Sequence, residues 1–293
     1  MNIEGFENLV SCGFISWNMN GDRKPLKNAS CSDISDRLGR ELAPKIQVPD
    51  TTDACFQDLR PQKLRIKDFP AQPGHTPVIS SLRSLGIDMK DIDFIFGGST
   101  LNMLATRSID KGTEYIAQRI AGGPLVVTKL KDYVQDFSNI GFQFEKFVTG
   151  HSMFEPDNKI RTESVHIMKV KGYKILFAAE CDAVDENYVP VEIKTQTNAG
   201  TKLMWQLISS NSSKVIYGHV SRRKIIDITS MSISEIIDKN KEKLDLHVTN
   251  ISTSLEKLAN ANGNFAISFV KNQIVLTPSE KHAFAQAALE FVN

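Results

Sequence analysis

Four charged residues stand at regular spacing in two otherwise apolar segments of this 293-residue chain. Glu180 and Asp182 lie in KILFAAECDAV, and Glu192 and Lys194 lie in VPVEIKT. Because side chains alternate across a strand, residues two positions apart share a face. The short connection between the segments predicts that they are hairpin neighbours. We therefore expect the four charged groups to meet on one patch of sheet.

That combination of charges indicates a divalent-metal site. Clustered carboxylates repel one another unless a cation lies between them, and their hard oxygen atoms suit Mg²⁺ or Mn²⁺. One or two such ions activate a water and stabilise charge during hydrolysis of a phosphodiester or pyrophosphate bond, and Lys194 would neutralise phosphate charge or orient the water. The alternative is a solvated sheet face with Glu–Lys cross-strand pairs. Burial in apolar strands disfavours unpaired charge, so we favour the metal site.

Strands in the middle of the chain and helices on either side of them must position these groups. Periodicity predicts strands over residues 163–170, 173–184, 189–195 and 214–220, with the first two joined as a hairpin. It predicts helices over residues 129–148, 202–209, 233–243 and 281–291. Prolines punctuate residues 1–75, which predicts short strands and loops wrapped over the core. The expected fold is mixed α/β (α+β), with central mixed sheets flanked by helices.

Glu145, on the helix predicted over residues 129–148, is a candidate further ligand. Taken alone it would be an ordinary exposed helix glutamate. Phenylalanines at positions 142, 144 and 147 indicate that this end of the helix packs close to the sheet.

Composition narrows the class of protein. The formal net charge is +1, from 35 basic and 34 acidic residues, so overall charge argues neither for nor against a nucleic-acid partner. The four cysteines show no CxxC spacing, which disfavours a zinc site. No secretory signal and no apolar run of roughly 20 residues is visible. We expect a soluble intracellular protein without a membrane partner, and the sequence does not distinguish nucleus from cytoplasm.

Four short motifs, in order over about residues 90–225, resemble the DXO family of decapping exoribonucleases, whose core is of the PD-(D/E)xK nuclease type. The segment GFQFE matches the family's G-Φ-x-Φ-E helix motif. ECD matches its (E/D)-x-D strand, EIK matches its E-Φ-K strand, and a glutamine follows on the next helix. The residues at the motif positions are Glu145, Glu180, Asp182, Glu192, Lys194 and Gln206.

The resemblance implies roles for these residues. Expected ligands of one or two Mg²⁺ or Mn²⁺ ions are Glu145, Glu180, Asp182, Glu192 and the carbonyl of Ile193. Lys194 and Gln206 would lie at the scissile phosphate, so the expected catalytic residues are Lys194, Gln206 and Glu192. The expected substrate contacts are Lys194, Gln206 and Glu180.

The resemblance also implies a function. Family members remove incomplete or non-standard caps or pyrophosphate from RNA 5′ ends, and some then degrade the RNA 5′→3′. The expected partner is the 5′ end of a single-stranded RNA, and a partner exoribonuclease is a second candidate. The chain would be one domain over residues 1–293, with an irregular N-terminal wrap over 1–75 and a catalytic core over 90–225.

One departure from the family pattern concerns substrate. Gly98 aligns with an arginine that contacts substrate in the family, and Arg107 and Arg119 are the candidate replacements. Loss of an Arg–phosphate contact removes a charge-assisted, often bidentate interaction. The alternative function is therefore a catalytically weak or inactive relative that binds RNA ends or a partner nuclease. A DNA nuclease of the same fold is a third hypothesis.

Overall fold

The computed structural model describes residues 3–18, 45–46, 65–66, 75–131, 135–136, 140–149, 160–195, 199–221 and 224–292. The strands in these ranges are β1 (Phe6–Asn18), β2 (Arg65–Ile66), β3 (Phe94–Gly97), β4 (Thr113–Arg119), β5 (Leu125–Lys131), β6 (Gln135–Asp136), β7 (Ile160–Val170), β8 (Tyr173–Glu180), β9 (Ala183–Val184), β10 (Pro190–Lys194), β11 (Lys214–Ser221), β12 (Lys224–Ser232), β13 (Asn264–Val270) and β14 (Gln273–Pro278). The α-helices are α1 (Thr76–Ser81), α2 (Thr100–Thr106), α3 (Ile140–Thr149), α4 (Thr201–Ser210), α5 (Ile233–Lys239) and α6 (Lys241–Ala259). Two short 3-10 segments cover Met89–Asp91 and Gln286–Phe291.

Two sheets organise the chain. The larger has eight strands in the order β1-β7-β8-β3-β5-β4-β13-β14, and the second has four in the order β12-β11-β10-β9. Strand β3 runs parallel to both β5 and β8, and β10 runs parallel to β11, while the other pairings are antiparallel. This arrangement, with helices around the sheets, confirms the mixed α/β fold predicted from the sequence.

Apolar layers cover both faces of the larger sheet. Phe94 and Phe96 face the layer that contains residues of α2, α4 and α6, whereas Ile95 faces the layer formed with α1 and the C-terminal 3-10 segment. Trp205 of α4 is fully buried in the first layer, as a packing residue should be. None of the described helices is long and apolar enough to cross a lipid bilayer.

Helix α3 packs against the second sheet through a separate apolar cluster. Phe144 and Val148 of α3 contact this cluster together with Val191 and Ile193 of β10. Gly218 of β11 makes the contact possible, because a Cβ atom there would lie only 2.7 Å from the Phe144 ring. The fit of this ring over a glycine fixes the helix that carries the next residue along the chain, Glu145.

Two predicted elements are wrong in instructive ways. The helix predicted over residues 129–148 exists only as α3, and the earlier residues form β5 and β6, with 132–134 and 137–139 outside the described ranges. The run of apolar residues in β5 pairs with β3 on one side and β4 on the other, and this pairing prevails over helical spacing. The strand predicted over 173–184 breaks after Glu180, and Ala183–Val184 joins the second sheet instead.

The ends of the chain also differ from expectation. Within the N-terminal part predicted as irregular, Phe6–Asn18 is a 13-residue strand paired with β7, and most of residues 19–74 lie outside the described ranges. The helix predicted over 233–243 is interrupted at Asn240, which ends α5 and begins α6. The helix predicted over 281–291 is only the 3-10 segment Gln286–Phe291.

Two buried histidines link the stability of this fold to pH. His75 places Nε2 2.9 Å from the carbonyl oxygen of Val127, and the ring of His166 stacks on Phe177. Burial lowers the pKa of each to about 4. Each imidazole is neutral in the folded state but takes up a proton on unfolding below its ordinary pKa. The stability that each contributes is complete above about pH 6.5 and falls as the pH drops towards 4.

We therefore expect His166→Phe to gain stability relative to the wild type by about 2 kcal/mol between pH 7 and pH 4.5. Phenylalanine keeps a ring at this site but takes up no proton. Urea unfolding at both pH values measures the difference, and the comparison with the wild type cancels the contribution of carboxylates. The exposed His282→Gln variant is the control. A stability difference that does not change with pH contradicts the account.

Candidate active site

Glu192 is the buried centre of the candidate site. It lies on β10, between β9 and β11, and its side chain is only 1% exposed. Val191 and Ile193 point towards α3, so Glu192 lies on the opposite face, where Gln206 of α4 donates a hydrogen bond from Nε2 to Glu192 Oε1. Lys194 donates from Nζ to the same oxygen. The alternation predicted for this strand thus places the Glu192 carboxylate on the face where two donors bind it.

Asp182 reaches the same point from the bend between the two sheets. Its Oδ2 atom accepts hydrogen bonds from the backbone N–H of Ile193 and from Lys194 Nζ, each at 3.0 Å. The backbone bond ties the bend to β10, so the break in the predicted strand brings Asp182 to Lys194. The metal ligation proposed for the carbonyl of Ile193 stays a prediction.

Two further glutamates complete the acidic group. Glu145 lies on α3, and burial raises its pKa well above the ordinary value, with the charges of Asp182 and Glu180 adding to the effect. Glu180 is the last residue of β8 and is paired in register with Glu163 of β7. Glu145 is thus close enough to both acids and to Lys194 for their charges to act on it. The structure gathers the residues of the three carboxylate motifs around one region.

One ammonium does not balance this charge. Burial raises the pKa of Glu192 to about 8, with a further rise from Asp182, and the charge and hydrogen bond of Lys194 only partly oppose it. Burial would lower the pKa of Lys194, but Asp182 and Glu192 raise it overall, so Lys194 remains charged. One ammonium therefore does not keep all of these buried acids ionised, and in the absence of a further cation Glu192 is largely protonated at neutral pH.

The carboxylates do not form a metal cage in this arrangement. Within the described ranges, no three His, Cys, Asp or Glu side chains are placed so that they could hold a metal ion. The Lys194 ammonium lies between Asp182 and Glu192 instead. Ligation by the four predicted acids stays a prediction.

Gly98 lies beside the strand end that carries Glu180. Strand β3 pairs in parallel with β8, with Gly97 opposite Ala178, and a Cβ atom on Gly98 would lie 3.0 Å from the Cβ of Ala179. The space next to this wall is tight, which favours glycine over a larger residue.

Neither candidate arginine replaces the missing one. Arg107 donates hydrogen bonds to the carbonyl of Asn272 and to Thr253 Oγ1. Arg119 donates to three carbonyls at the C-terminal end of α6, namely those of Leu258, Ala259 and Ala261. Both guanidinium groups contact α6, and the donors that are bonded among the described residues serve the fold.

Tyr217 is a neighbour of the site that the sequence analysis did not single out. It pairs with Lys194 across the parallel strands β10 and β11, and it is 2% exposed. The available signal was alternation in the segment KVIYGHV, where a tyrosine stands among apolar residues of a buried strand. The two arginines of the basic segment at 221–224 lie outside the described ranges.

Comparison with known proteins identifies the fold. No protein-family model and no curated relative matches the chain. The structure of Candida albicans Rai1 in complex with pU5-Mn²⁺ is 14% identical, with 98% of this chain and 95% of that chain covered at a TM-score of 0.67. Scheffersomyces stipitis Rai1 is 12% identical, with 99% of both chains covered at a TM-score of 0.67.

S. pombe Rai1 is similar to the same degree: it is 13% identical, with 94% of this chain and 95% of that chain covered at a TM-score of 0.64. Rai1 proteins are members of the DXO family, the family that the sequence motifs resemble. At such low identity the likeness concerns the fold. The chain therefore has the fold of the Rai1 proteins, along almost its whole length.

Proposed function

We propose that this chain is a metal-dependent hydrolase of RNA 5′ ends, of the DXO type, that removes incomplete or non-standard caps or pyrophosphate. One observation carries the proposal: Lys194 contacts both Asp182 and Glu192, and Gln206 contacts Glu192. These residues come from three separate motifs of the sequence. The Rai1 fold adds support, since Candida albicans Rai1 has been solved with pU5-Mn²⁺. Degradation of the RNA 5′→3′ is a further activity that the family resemblance suggests.

The chemistry of these side chains suits a divalent cation, although their present arrangement does not form a metal cage among the described residues. The donors are carboxylate oxygens, which Mg²⁺ and Mn²⁺ prefer. Burial, and then the neighbouring carboxylate charges, raise the pKa values of Glu145 and Glu192, and a bound cation would favour their ionised forms. The residues that would hold one or two ions are Glu145, Glu180, Asp182, Glu192 and the carbonyl of Ile193. When bound, the metal would supply an activated water and stabilise charge on the leaving oxygen.

Lys194 is the proposed contact to the phosphate. Its side chain is 33% exposed, whereas those of Asp182 and Glu192 are 12% and 1% exposed. The Lys194 side chain is therefore more accessible than the acids that keep its ammonium charged. Gln206 is held against Glu192, which orients its amide at the same place. Together they provide donors for charge that develops on phosphate oxygens.

A specific observation favours a second function. With Gly98 at the arginine position and both nearby arginines committed to α6, the chain would hold substrate less firmly. The second candidate is a relative that binds RNA ends with weak or no turnover. A partner exoribonuclease is the further binding partner suggested by the family resemblance.

An activity panel tests the proposal. We expect the full chain, with Mg²⁺ or Mn²⁺, to process at least one RNA among those with triphosphate, unmethylated-cap, monophosphate and metabolite-capped 5′ ends. Glu192→Ala should lower kcat at least about 100-fold, because it removes a ligand and the acceptor that orients Lys194 and Gln206. Chromatography of the released products measures both. Glu186→Ala, in the exposed turn before β10, is the matched control.

The panel separates the hypotheses. If the wild type processes none of these RNAs, hydrolysis is excluded. If Glu192→Ala is as active as the wild type, the site is wrong. Binding of capped RNA without turnover, unaffected by a chelator, favours the second candidate.

A second prediction tests the excess charge directly. Because the folded-state pKa of Glu192 is about 8, its ionised form destabilises the metal-free protein, and this penalty grows as the pH rises from about 4.5 to 8. Glu192→Gln should therefore raise the Tm at pH 8 in a chelator, and the gain should shrink towards pH 4.5. Mn²⁺ should raise the Tm of the wild type, because an ion at a free concentration of 100 times its Kd adds about 2.7 kcal/mol of stability. It should have much less effect on the variant.

Differential scanning fluorimetry at several pH values measures these shifts, with Glu186→Gln as the control. A variant that is less stable than the wild type at pH 8 in chelator would contradict the excess of negative charge. Equal stabilisation of both proteins by Mn²⁺ would show that the ion binds elsewhere.

A further inference from the structure

Tyr217 shares a face of the second sheet with Lys194. The parallel register of β10 and β11 sets Tyr217 level with Lys194, and Val215 level with Glu192. Level residues on neighbouring strands point to the same side of a sheet. The other side is occupied by the apolar cluster under α3, to which Ile216 belongs. The tyrosine is thus on the side where Gln206 and Lys194 contact Glu192.

The hydroxyl of Tyr217 is buried without a hydrogen-bond partner in the part of the chain that the structure describes. Buried tyrosine hydroxyls usually find a partner. An unpaired one destabilises the fold, so phenylalanine would be the more stable residue at this place in an apolar strand. A hydroxyl retained at such a cost is suited to a partner that arrives with a ligand.

The surrounding charges define what that partner must be. Burial raises the pKa of the Tyr217 phenol and the charge of Lys194 opposes the rise, so the phenol is protonated at neutral pH and lies within reach of that charge. A protonated phenol donates a hydrogen bond. Lys194 Nζ has a third hydrogen beyond those donated to Asp182 and Glu192. Gln206 Nε2 has a second hydrogen beyond the one donated to Glu192, so a ligand that contacts all three groups would bring acceptor oxygens. Anionic oxygens bind such donors most strongly.

We propose that Tyr217 is a further substrate-binding residue, whose hydroxyl donates a hydrogen bond to a phosphate oxygen of the RNA beside Lys194. The inference rests on the proposed function, because it assumes that RNA occupies this site. It names a contact to phosphate on β11, whereas Gly98 lies in the turn after β3.

Binding of a defined RNA by the full chain tests the inference without turnover. The probe is a 5′-phosphorylated pentauridylate with a 3′ fluorescent label, measured by fluorescence anisotropy in Ca²⁺, with the RNA checked for integrity afterwards. We expect Tyr217→Phe to raise Kd about 10-fold or more, as the loss of a hydrogen bond to a charged group would. Its Tm should be unchanged or higher, because an unpaired buried hydroxyl is removed.

Two controls isolate the contact. Tyr173→Phe makes the same chemical change at the start of β8, the opposite end of the strand from Glu180, and should leave Kd unchanged. The 2′-deoxy form of the probe should lose affinity by the same factor as the RNA when Tyr217 is replaced. Weakening of the RNA alone would indicate a contact to the 2′-hydroxyl and overturn the assignment to phosphate.

The remaining outcomes distinguish this inference from the proposed function. If the wild type binds RNA and Tyr217→Phe binds it equally well, the inference fails and the proposed function stands. A Tm several degrees lower in the variant would show that the hydroxyl has a partner inside the protein, and would also overturn the inference. A wild type that neither binds the probe nor processes any 5′ end would overturn both.

Discussion

The ammonium of Lys194 lies between Asp182 and Glu192, two carboxylates that reach it from different parts of the fold. Asp182 lies in the bend after β8, where the chain passes from the larger sheet to the second one. Glu192 lies in the second sheet, on β10. A single cation does not offset the buried acids, since the pKa of Glu192 rises to about 8. Buried acids with strongly raised pKa values are typical of functional sites. The positions of both sheets and of α3 decide which acids lie together.

The site has two parts, one that matches the family motifs and one that departs from them. The acids, Lys194 and Gln206 keep the motif positions that resemble the DXO family. The part that would contact substrate differs. The resemblance sets Gly98 at an arginine position of the family, and Gly98 lies close to Ala179. Tyr217, level with Lys194 on the neighbouring strand, has a hydroxyl without a partner among the described residues. A hydrogen bond from a phenol is weaker and more directional than a bidentate guanidinium contact. Such a change would alter affinity and choice of RNA end before it altered hydrolysis.

Local patterns predicted the parts of the site that depend on one strand. Alternation gave the common face of Glu192 and Lys194, and the short turn gave the pairing of Ala183–Val184 with β10. The position of Asp182 could not be predicted, because the strand break after Glu180 depends on pairing with a second sheet. Helical spacing over 129–148 was misleading for the same reason, since β5 is held by strands distant in sequence. Whether the Tyr217 hydroxyl has a partner depends on three-dimensional packing, and among the described residues it has none. The sequence indicates only that a tyrosine stands in an apolar strand.

A crystal structure with Mn²⁺ and a short 5′-phosphorylated RNA tests the central claim most directly. The anomalous signal of manganese locates the ion independently of the protein coordinates. The account predicts an anomalous peak among Glu145, Glu180, Asp182 and Glu192, with Lys194 turned from the acids towards a phosphate. Saturating Mn²⁺ with no peak at these carboxylates, and Lys194 still between Asp182 and Glu192, would contradict it.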